Sequence, residues 1–156
     1  GVLPAGRRRL NDKTLVRQIR PALSWKCRVA LVKPIPAGTT LSYGHTFTAL
    51  RPMRVATVTA GYGDGYPRAG SGRAEVLIGG RRCRVLGRVT MDQMIVDVTR
   101  LASPVKPGDE VVLIGRQGRE SLTAGELAAW CGTIPWEILT GITYRVPRVY
   151  RGGQAA

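Results

Sequence analysis

Short stretches of alternating apolar and polar residues run along most of the chain. From Trp25 onward these stretches are rich in β-branched residues, which is typical of β-strands with one buried face. Gly79-Gly80 lies between two of them as the two-residue turn of a hairpin. The predicted strand segments are WKCRVALVK, GTTLSYG, MRVATVTA, the hairpin AEVLIGGRRCRVLG, QMIVDV, DEVVLIG and ITYRVPRVY.

One segment predicts a helix. Thr123 and Glu126 form a capping-box pattern ahead of LAAW, and Gly132 stands where a C-terminal cap is expected. Short strands at this spacing, with tight turns between them, favour a closed barrel because closure removes exposed strand edges. The pattern therefore predicts a mainly β fold, a closed Greek-key-like β-barrel with one short helix.

The length and the pattern divide the chain into three parts. A chain of 156 residues suits one domain with its own core. Residues 1–22 show little periodicity and predict a connecting arm, residues 23–150 predict the β-domain, and residues 151–156 predict a flexible tail. No apolar run approaches the roughly 20 residues that cross a bilayer. The N-terminus has no apolar stretch of the signal-peptide kind. We therefore expect a cytoplasmic protein with no membrane contact.

Positive charge is the strongest feature of the composition. The chain has 24 Lys and Arg against 10 Asp and Glu, a net charge of +14. Such a balance is found in nucleic-acid-binding proteins. However, the arginines are scattered apart from residues 7–9, and no aromatic RNA-binding motif or basic repeat accompanies them. A positive surface that meets an acidic partner domain or anionic substrates is the preferred interpretation.

The cysteines and the single histidine do not predict a metal site. Cys27, Cys83 and Cys131 are widely spaced and form no CxxC pair, and His45 is the one histidine. We expect free thiols that act as small core residues.

Four motifs in a fixed order resemble one known family. They are LSYG at 41–44, GYGDGYPR at 61–68, GRVTMDQ at 87–93 and ITYRVPRVY at 142–150. Each is weak alone, but together they resemble the C-terminal domain of alanine racemases, over about residues 20–150.

The resemblance implies a two-domain, homodimeric enzyme that interconverts L-alanine and D-alanine for peptidoglycan synthesis. Its N-terminal α/β barrel holds pyridoxal 5′-phosphate through a lysine, and each active site pairs one subunit's barrel with the partner's C-terminal domain. An eightfold barrel needs roughly 200–250 residues. We therefore expect the cofactor lysine to lie in a barrel domain outside this sequence. We expect this chain alone to be inactive and to bind no cofactor.

The resemblance also assigns roles to individual residues. Tyr43 matches the tyrosine that removes the α-proton of L-alanine, opposite a barrel lysine that serves D-alanine. Racemisation needs a proton taken from one face and returned to the other, so two groups must flank one carbon. Met91 matches the residue whose backbone N–H holds the substrate carboxylate. Asp92 is interpreted as orienting that turn, or simply as a turn former.

Further matches lie around the entrance. Tyr62, Arg68 and Arg88 match residues that line the narrow entrance, where arginines attract carboxylates. The chain departs from the family at Trp136, where a tyrosine usually contacts the cofactor phosphate. An indole N–H can donate one hydrogen bond but cannot accept one. Trp136 is therefore either a cofactor contact or, as we prefer, a packing residue at the barrel edge.

Two alternatives of other classes remain open. The first is a catalytically inactive, stand-alone β-barrel binding module. The second is a basic nucleic-acid-binding barrel, which the lack of interleaved aromatic residues on the strands disfavours.

Overall fold

The computed structural model of the protein describes residues 21–151. Nearly all of the predicted arm (1–22) and of the predicted tail (151–156) lies outside the described residues. The elements in the described range are β1 (Trp25–Ile35), β2 (Thr40–Leu41), β3 (Phe47–Thr48), β4 (Met53–Val58), β5 (Glu75–Ile78), β6 (Arg81–Leu86), β7 (Met94–Asp97), β8 (Glu110–Gln117), β9 (Glu120–Leu122), α1 (Ala124–Cys131) and α2 (Pro135–Gly141).

Six strands close into a ring. Each strand pairs antiparallel with the next in the order β1-β4-β7-β6-β5-β8, and β8 pairs back onto β1. Strand β1 can serve two neighbours because irregularities in its register, after Trp25 and after Val29, bend it. Strand β9 extends β8, and β2 and β3 form a separate small hairpin. The prediction of a mainly β fold with a closed set of strands is confirmed.

Side-chain alternation explains how the ring is filled. Successive residues of a strand point to opposite faces of the sheet. On β5, Val76 and Ile78 join the main core, whereas Leu77 lies on the other face with Val112 and Leu122. The main core takes buried residues from every ring strand, among them Val29, Val58, Val76, Val85, Val96 and Val111.

The first helix follows its sequence signals. The backbone N–H of Glu126 donates to Thr123 Oγ1 at 3.1 Å, and the Thr123 N–H donates to Glu126 Oε2 at 2.9 Å. The helix ends at Gly132, which has a φ of 71°. Both the capping box and the glycine cap are confirmed. Leu127 then buries itself in the main core.

A second helix, α2, was not predicted. Pro135 stands at its first position, where a missing N–H costs nothing, and Ile138 buries itself in the main core. The prediction of a single helix is therefore wrong. No helix in the described range has the length and apolar character needed to span a membrane.

The predicted last strand, ITYRVPRVY, is also wrong. Residues 143–151 form turns and coil and pair with no strand. The Arg148 guanidinium donates instead to the carbonyls of Ile142, Thr143 and Val146. Those carbonyls are the acceptors that a strand would have used, and Pro147 lacks the N–H that a central strand needs.

The predicted strand GTTLSYG is only partly correct. Strand β2 stops at Leu41, and Tyr43–His45 forms a short 3-10 turn. Ser42, Gly44 and His45 all have positive φ values, which no β-strand accommodates. The two-residue strand β3 behind this turn had no sequence signal.

All three cysteines are free, as predicted. Cys83 is buried, and Cys27 and Cys131 are half-buried. Burial raises the pKa of both the Cys27 thiol and the Cys83 thiol to about 12. Thiols of this kind behave as small apolar residues at neutral pH.

Candidate functional site

Tyr43 lies at the tip of the β2–β3 hairpin. Leu41 and Ala49 bury the base of that hairpin against the outer face of the ring, together with Met53 and Leu86. The tip itself projects outward, so that the Tyr43 side chain is 75% exposed. The apolar base thus anchors a hairpin whose only aromatic tip residue faces solvent.

Tyr62 and Met91 lie side by side in two interlocked loops. The Tyr62 N–H donates to the Thr90 carbonyl at 3.0 Å, and the Gly63 N–H donates to the Met91 carbonyl at 2.8 Å. Glycine is required at position 61, where the two loops lie close together, because a Cβ there would lie 2.2 Å from the Thr90 carbonyl oxygen. The two side chains remain accessible, with Tyr62 43% and Met91 52% exposed.

The turn at Met91 leaves backbone donors unused, among them the Met91 N–H. Thr90 closes the turn by donating its N–H and its hydroxyl to the Gln93 carbonyl, at 3.0 and 2.8 Å. The Met91 carbonyl is taken by Gly63. Within residues 21–151, the Met91 N–H donates to no acceptor. A backbone N–H without an acceptor in the chain can donate to an anionic group such as a carboxylate.

A guanidinium group ties the two loops to the chain's last segment. Arg145 contacts Asp92 at 2.5 Å and Asp64 at 3.5 Å. The hydrogen bond to Asp92 and the nearby Asp64 charge raise the pKa of Arg145, which stays fully charged. The carboxylate of Asp64 also accepts the Gly61 N–H at 3.0 Å. Asp92 thus connects the Met91 loop to Arg145 through an exposed ion pair.

Arg88 connects the hairpin tip to these loops. One open cavity of about 400 Å³ is lined by Tyr43, Arg88, Thr90 and Gln93, with Met91 in the same loop. A second cavity, of about 340 Å³, is lined by both Arg68 and Arg88. The structure therefore brings together Tyr43, Arg88 and the Met91 loop, joins Tyr62 to that loop, and places Arg68 and Arg88 around one cavity.

Trp136 is not part of this group. It lies on α2 with 71% of its surface exposed, and it lines neither of the two cavities. The C-terminal end of its helix contacts the Tyr62 loop through Gly141, which packs against Gly65.

Sequence reasoning missed two residues of the network, Arg145 and Asp64. Both lie within recognised motifs, but nothing in the spacing marks them as partners, because they are far apart in sequence and meet only in the folded chain. The motifs also assign no role to Tyr144, which is 96% exposed and lies next to Arg145.

The lysines bear on the implied cofactor. Lys26 is paired with Glu110 at 2.8 Å, and Lys33 and Lys106 are exposed; none of the three lines the cavities around Tyr43 and Arg88. Around these two cavities the described residues thus offer a hydroxyl, backbone donors and arginines, but no amine that could bind pyridoxal phosphate covalently. No group of three or more potential metal ligands occurs in the described range.

The class of protein is a domain built on a closed β-ring that carries an exposed tyrosine, free backbone donors and arginine-lined cavities. Its family follows from comparison, since the model of the alanine racemase C-terminal domain matches residues 22–150. An alanine racemase from Symbiobacterium thermophilum is 58% identical over 139 residues, which are 89% of this chain and 36% of that protein. The chain belongs to the family of alanine racemase C-terminal domains, and it spans about 36% of the length of that relative.

Solved structures agree with the assignment. The crystal structure of alanine racemase from the D-cycloserine-producing Streptomyces lavendulae matches with a TM-score of 0.83 and 43% identity, over 90% of this chain and 36% of that chain. The alanine racemase of Bartonella henselae with covalently bound pyridoxal phosphate matches with a TM-score of 0.77 and 34% identity, over 81% of this chain and 34% of that chain.

Proposed function

We propose that the chain acts as the C-terminal domain of a homodimeric alanine racemase that makes D-alanine for the cell wall. In this proposal the domain faces the partner subunit's pyridoxal-phosphate barrel and completes its active site. The observation that carries the proposal is the shared cavity of Tyr43 and Arg88, beside a loop whose Met91 N–H is free. The Bartonella relative, which holds pyridoxal phosphate, supports the choice of cofactor.

Each group of the site has a defined task in this proposal. In the deprotonated form, the Tyr43 phenolate oxygen accepts the α-proton from L-alanine, and the hydroxyl group formed in this way returns a proton to the same face in the reverse direction. The Met91 N–H donates to the substrate carboxylate and fixes the orientation of the α-carbon. Arg68 and Arg88 attract the carboxylate at the entrance. When bound, pyridoxal phosphate supplies the electron sink that stabilises the deprotonated substrate.

The arginine that links the loops supports this geometry. Arg145 forms ion pairs with both Asp64 and Asp92 and so connects the Tyr62 loop to the Met91 loop.

A chimera tests the proposal. The N-terminal part of the Symbiobacterium thermophilum racemase, joined to residues 22–150 of this chain, should interconvert the alanine enantiomers. Tyr43→Phe removes one hydroxyl and leaves the ring, and racemisation should fall by about 10²–10⁴-fold. Tyr150→Phe is the control, because Tyr150 is 90% exposed and lines neither of the two cavities.

Isotope exchange identifies the face that Tyr43 serves. In deuterated water, the Tyr43→Phe chimera should still exchange the α-proton of D-alanine but should lose exchange on L-alanine. Exchange of L-alanine at the parent rate would show that Tyr43 is not the base.

A further inference from the structure

The turn that carries Tyr43 has an unusual backbone at its first residue. Ser42 has φ 65° and ψ 173°, a combination that residues other than glycine rarely adopt. Gly44 and His45 follow with φ values of 72° and 50°. Three of the four residues from 42 to 45 thus have positive φ, and the exception is Tyr43 itself. Such a conformation persists only where surrounding contacts enforce it.

The Ser42 hydroxyl supplies those contacts. It donates to the Arg88 carbonyl at 2.8 Å and accepts the Arg88 N–H at 3.0 Å, so that one side chain pairs with both backbone groups of one residue. The fit is close, because a Cβ on Gly87 would lie 2.7 Å from Ser42 Cβ. The hairpin tip is therefore fastened to the segment that precedes Met91.

The Arg88 side chain closes over the other side of the same turn. Its Nε would lie 3.7 Å, and its Nη2 3.8 Å, from a Cβ built on Gly44, so the guanidinium packs against the turn. Within the described part of the chain, Arg88 Nε is buried without a hydrogen-bond partner. Arg88 thus holds the turn by packing, whereas Ser42 holds it by directed hydrogen bonds.

We propose that Ser42 is a positioning residue that fixes the Tyr43 hydroxyl relative to the carboxylate-binding turn at Met91. Through the two hydrogen bonds between Ser42 and Arg88, the Tyr43 backbone is connected to Met91 by only Ser42 and residues 88–90. Base and carboxylate donor must act on two atoms of one small substrate, and misplacement by about 1 Å can cost about 100-fold in rate. The proposal rests on the proposed function, since it assumes that Tyr43 is the base.

Substitution of Ser42 by glycine tests the two hydrogen bonds to Arg88. Ser42→Gly allows the same φ and ψ and removes both hydrogen bonds, and it also gives the backbone more freedom. In the chimera, exchange of the L-alanine α-proton should fall about 10- to 100-fold, while exchange of D-alanine changes by less than about twofold. Ser42→Ala, which removes the hydroxyl but keeps the Cβ, should show the same selective loss of L-alanine exchange; a loss confined to Ser42→Gly would come from the added freedom of glycine and would contradict the proposal.

Ser71→Gly is the matched control. The Ser71 hydroxyl accepts the Val89 N–H at 3.0 Å, one residue beyond Arg88, but it does not contact the Tyr43 turn. Its loss should leave the ratio of L-alanine to D-alanine exchange unchanged. If Ser42→Gly lowers both exchanges equally, or neither, the positioning role is refuted. If Tyr43→Phe leaves L-alanine exchange intact, the proposed function fails instead.

The chain alone gives a second measurement that needs no activity. Its closed ring and cores lie within residues 25–138, so it can be studied without a partner. By NMR, Ser42→Gly should abolish the hydrogen-exchange protection of the Arg88 amide and increase the mobility of the Tyr43 ring, with an unchanged unfolding midpoint. A Tyr43 ring as ordered as in the parent would overturn the proposal.

Discussion

At the scale of single residues, Tyr66 is an exception to the rule that buried polar groups form hydrogen bonds. Its side chain is completely buried, and its ring lies 6.0 Å from that of Trp25, at an angle of 52°. Within residues 21–151, its hydroxyl has no hydrogen-bond partner. Burial, followed by the nearby Cys131 and Cys27 thiols, raises the pKa of Tyr66 far above its usual value. The sequence could not predict this, because Tyr66 sits in a glycine-rich loop that suggests exposure.

Tyr66→Phe should therefore stabilise the chain. The substitution removes the buried Tyr66 hydroxyl, which has no hydrogen-bond partner within the described residues. The desolvation of such a group costs about 1–3 kcal/mol. Urea unfolding should show an increase of about 1 kcal/mol in the free energy of unfolding. Tyr150→Phe, at an exposed position, should leave it unchanged. A loss of stability in Tyr66→Phe would mean that the hydroxyl has a partner, such as a buried water.

At the scale of elements, local signals were predictable and non-local ones were not. The Gly79-Gly80 hairpin turn and the Thr123 capping box depend on neighbouring residues only, and both form as predicted. Helix α2 has only seven residues, too few to establish a helical period. The alternating segment 142–150 failed as a strand because Arg148 takes its carbonyls, a contact that hydrophobic alternation does not encode.

Gly65 joins two elements, and its substitution should be costly. It has a φ of 100°, and a Cβ would lie 2.2 Å from the Gly141 carbonyl oxygen at the end of α2. Gly65→Ala should lower the free energy of unfolding by more than about 2 kcal/mol, since backbone strain and a backbone clash add. Gly72→Ala is the matched control, with a φ of 65° and no atom within 4 Å. Equal losses in the two variants, by thermal or urea unfolding, would show that the contact with Gly141 is unimportant.

Arg82 joins three further elements and makes their docking sensitive to acid. It contacts Glu75 on β5, Glu120 on β9 and Glu126 on α1, at 3.3, 3.1 and 2.9 Å. Burial by itself would raise the pKa of Glu126, but hydrogen bonds from the Thr123 N–H and Arg82 lower it below the usual 4.5. A carboxyl group with a lower pKa in the folded state stabilises the fold above its unfolded pKa. That contribution is lost as the pH falls through the folded value.

Glu126→Gln should thus matter at neutral pH and not in acid. At pH 7 the variant should lose less than about 1 kcal/mol, because the ion pair is partly exposed to solvent. The difference in free energy of unfolding between parent and variant should shrink as the pH falls below 4.5, the ordinary glutamate value. Urea unfolding from pH 7 to pH 3 measures it. A difference that stays constant over this range would exclude the ion pair as its source.

At the scale of the whole molecule, the site is assembled from loops that are distant in sequence. The tip at 42–45, the loops at 61–65 and 88–93, and the segment at 142–146 meet through Ser42, Arg88, Asp64 and Arg145. Motif resemblance could assign roles to Tyr43 and Met91, because those roles belong to single positions. It could not supply the contacts that fix their spacing, because each contact joins residues from different motifs.

The exposure of the site and the positions of the lysines predict how the chain behaves by itself. The site residues are exposed rather than enclosed, and the described lysines are either paired, as Lys26 is with Glu110, or open to solvent away from Tyr43. With pyridoxal phosphate and alanine, we therefore expect no racemisation. Borohydride reduction and mass spectrometry should find only scattered lysine adducts that increase with cofactor concentration. The chimera serves as the positive control, with one stoichiometric adduct in its N-terminal part. A stoichiometric adduct on one lysine of the chain, accompanied by racemisation, would show that the cofactor site lies within these 156 residues.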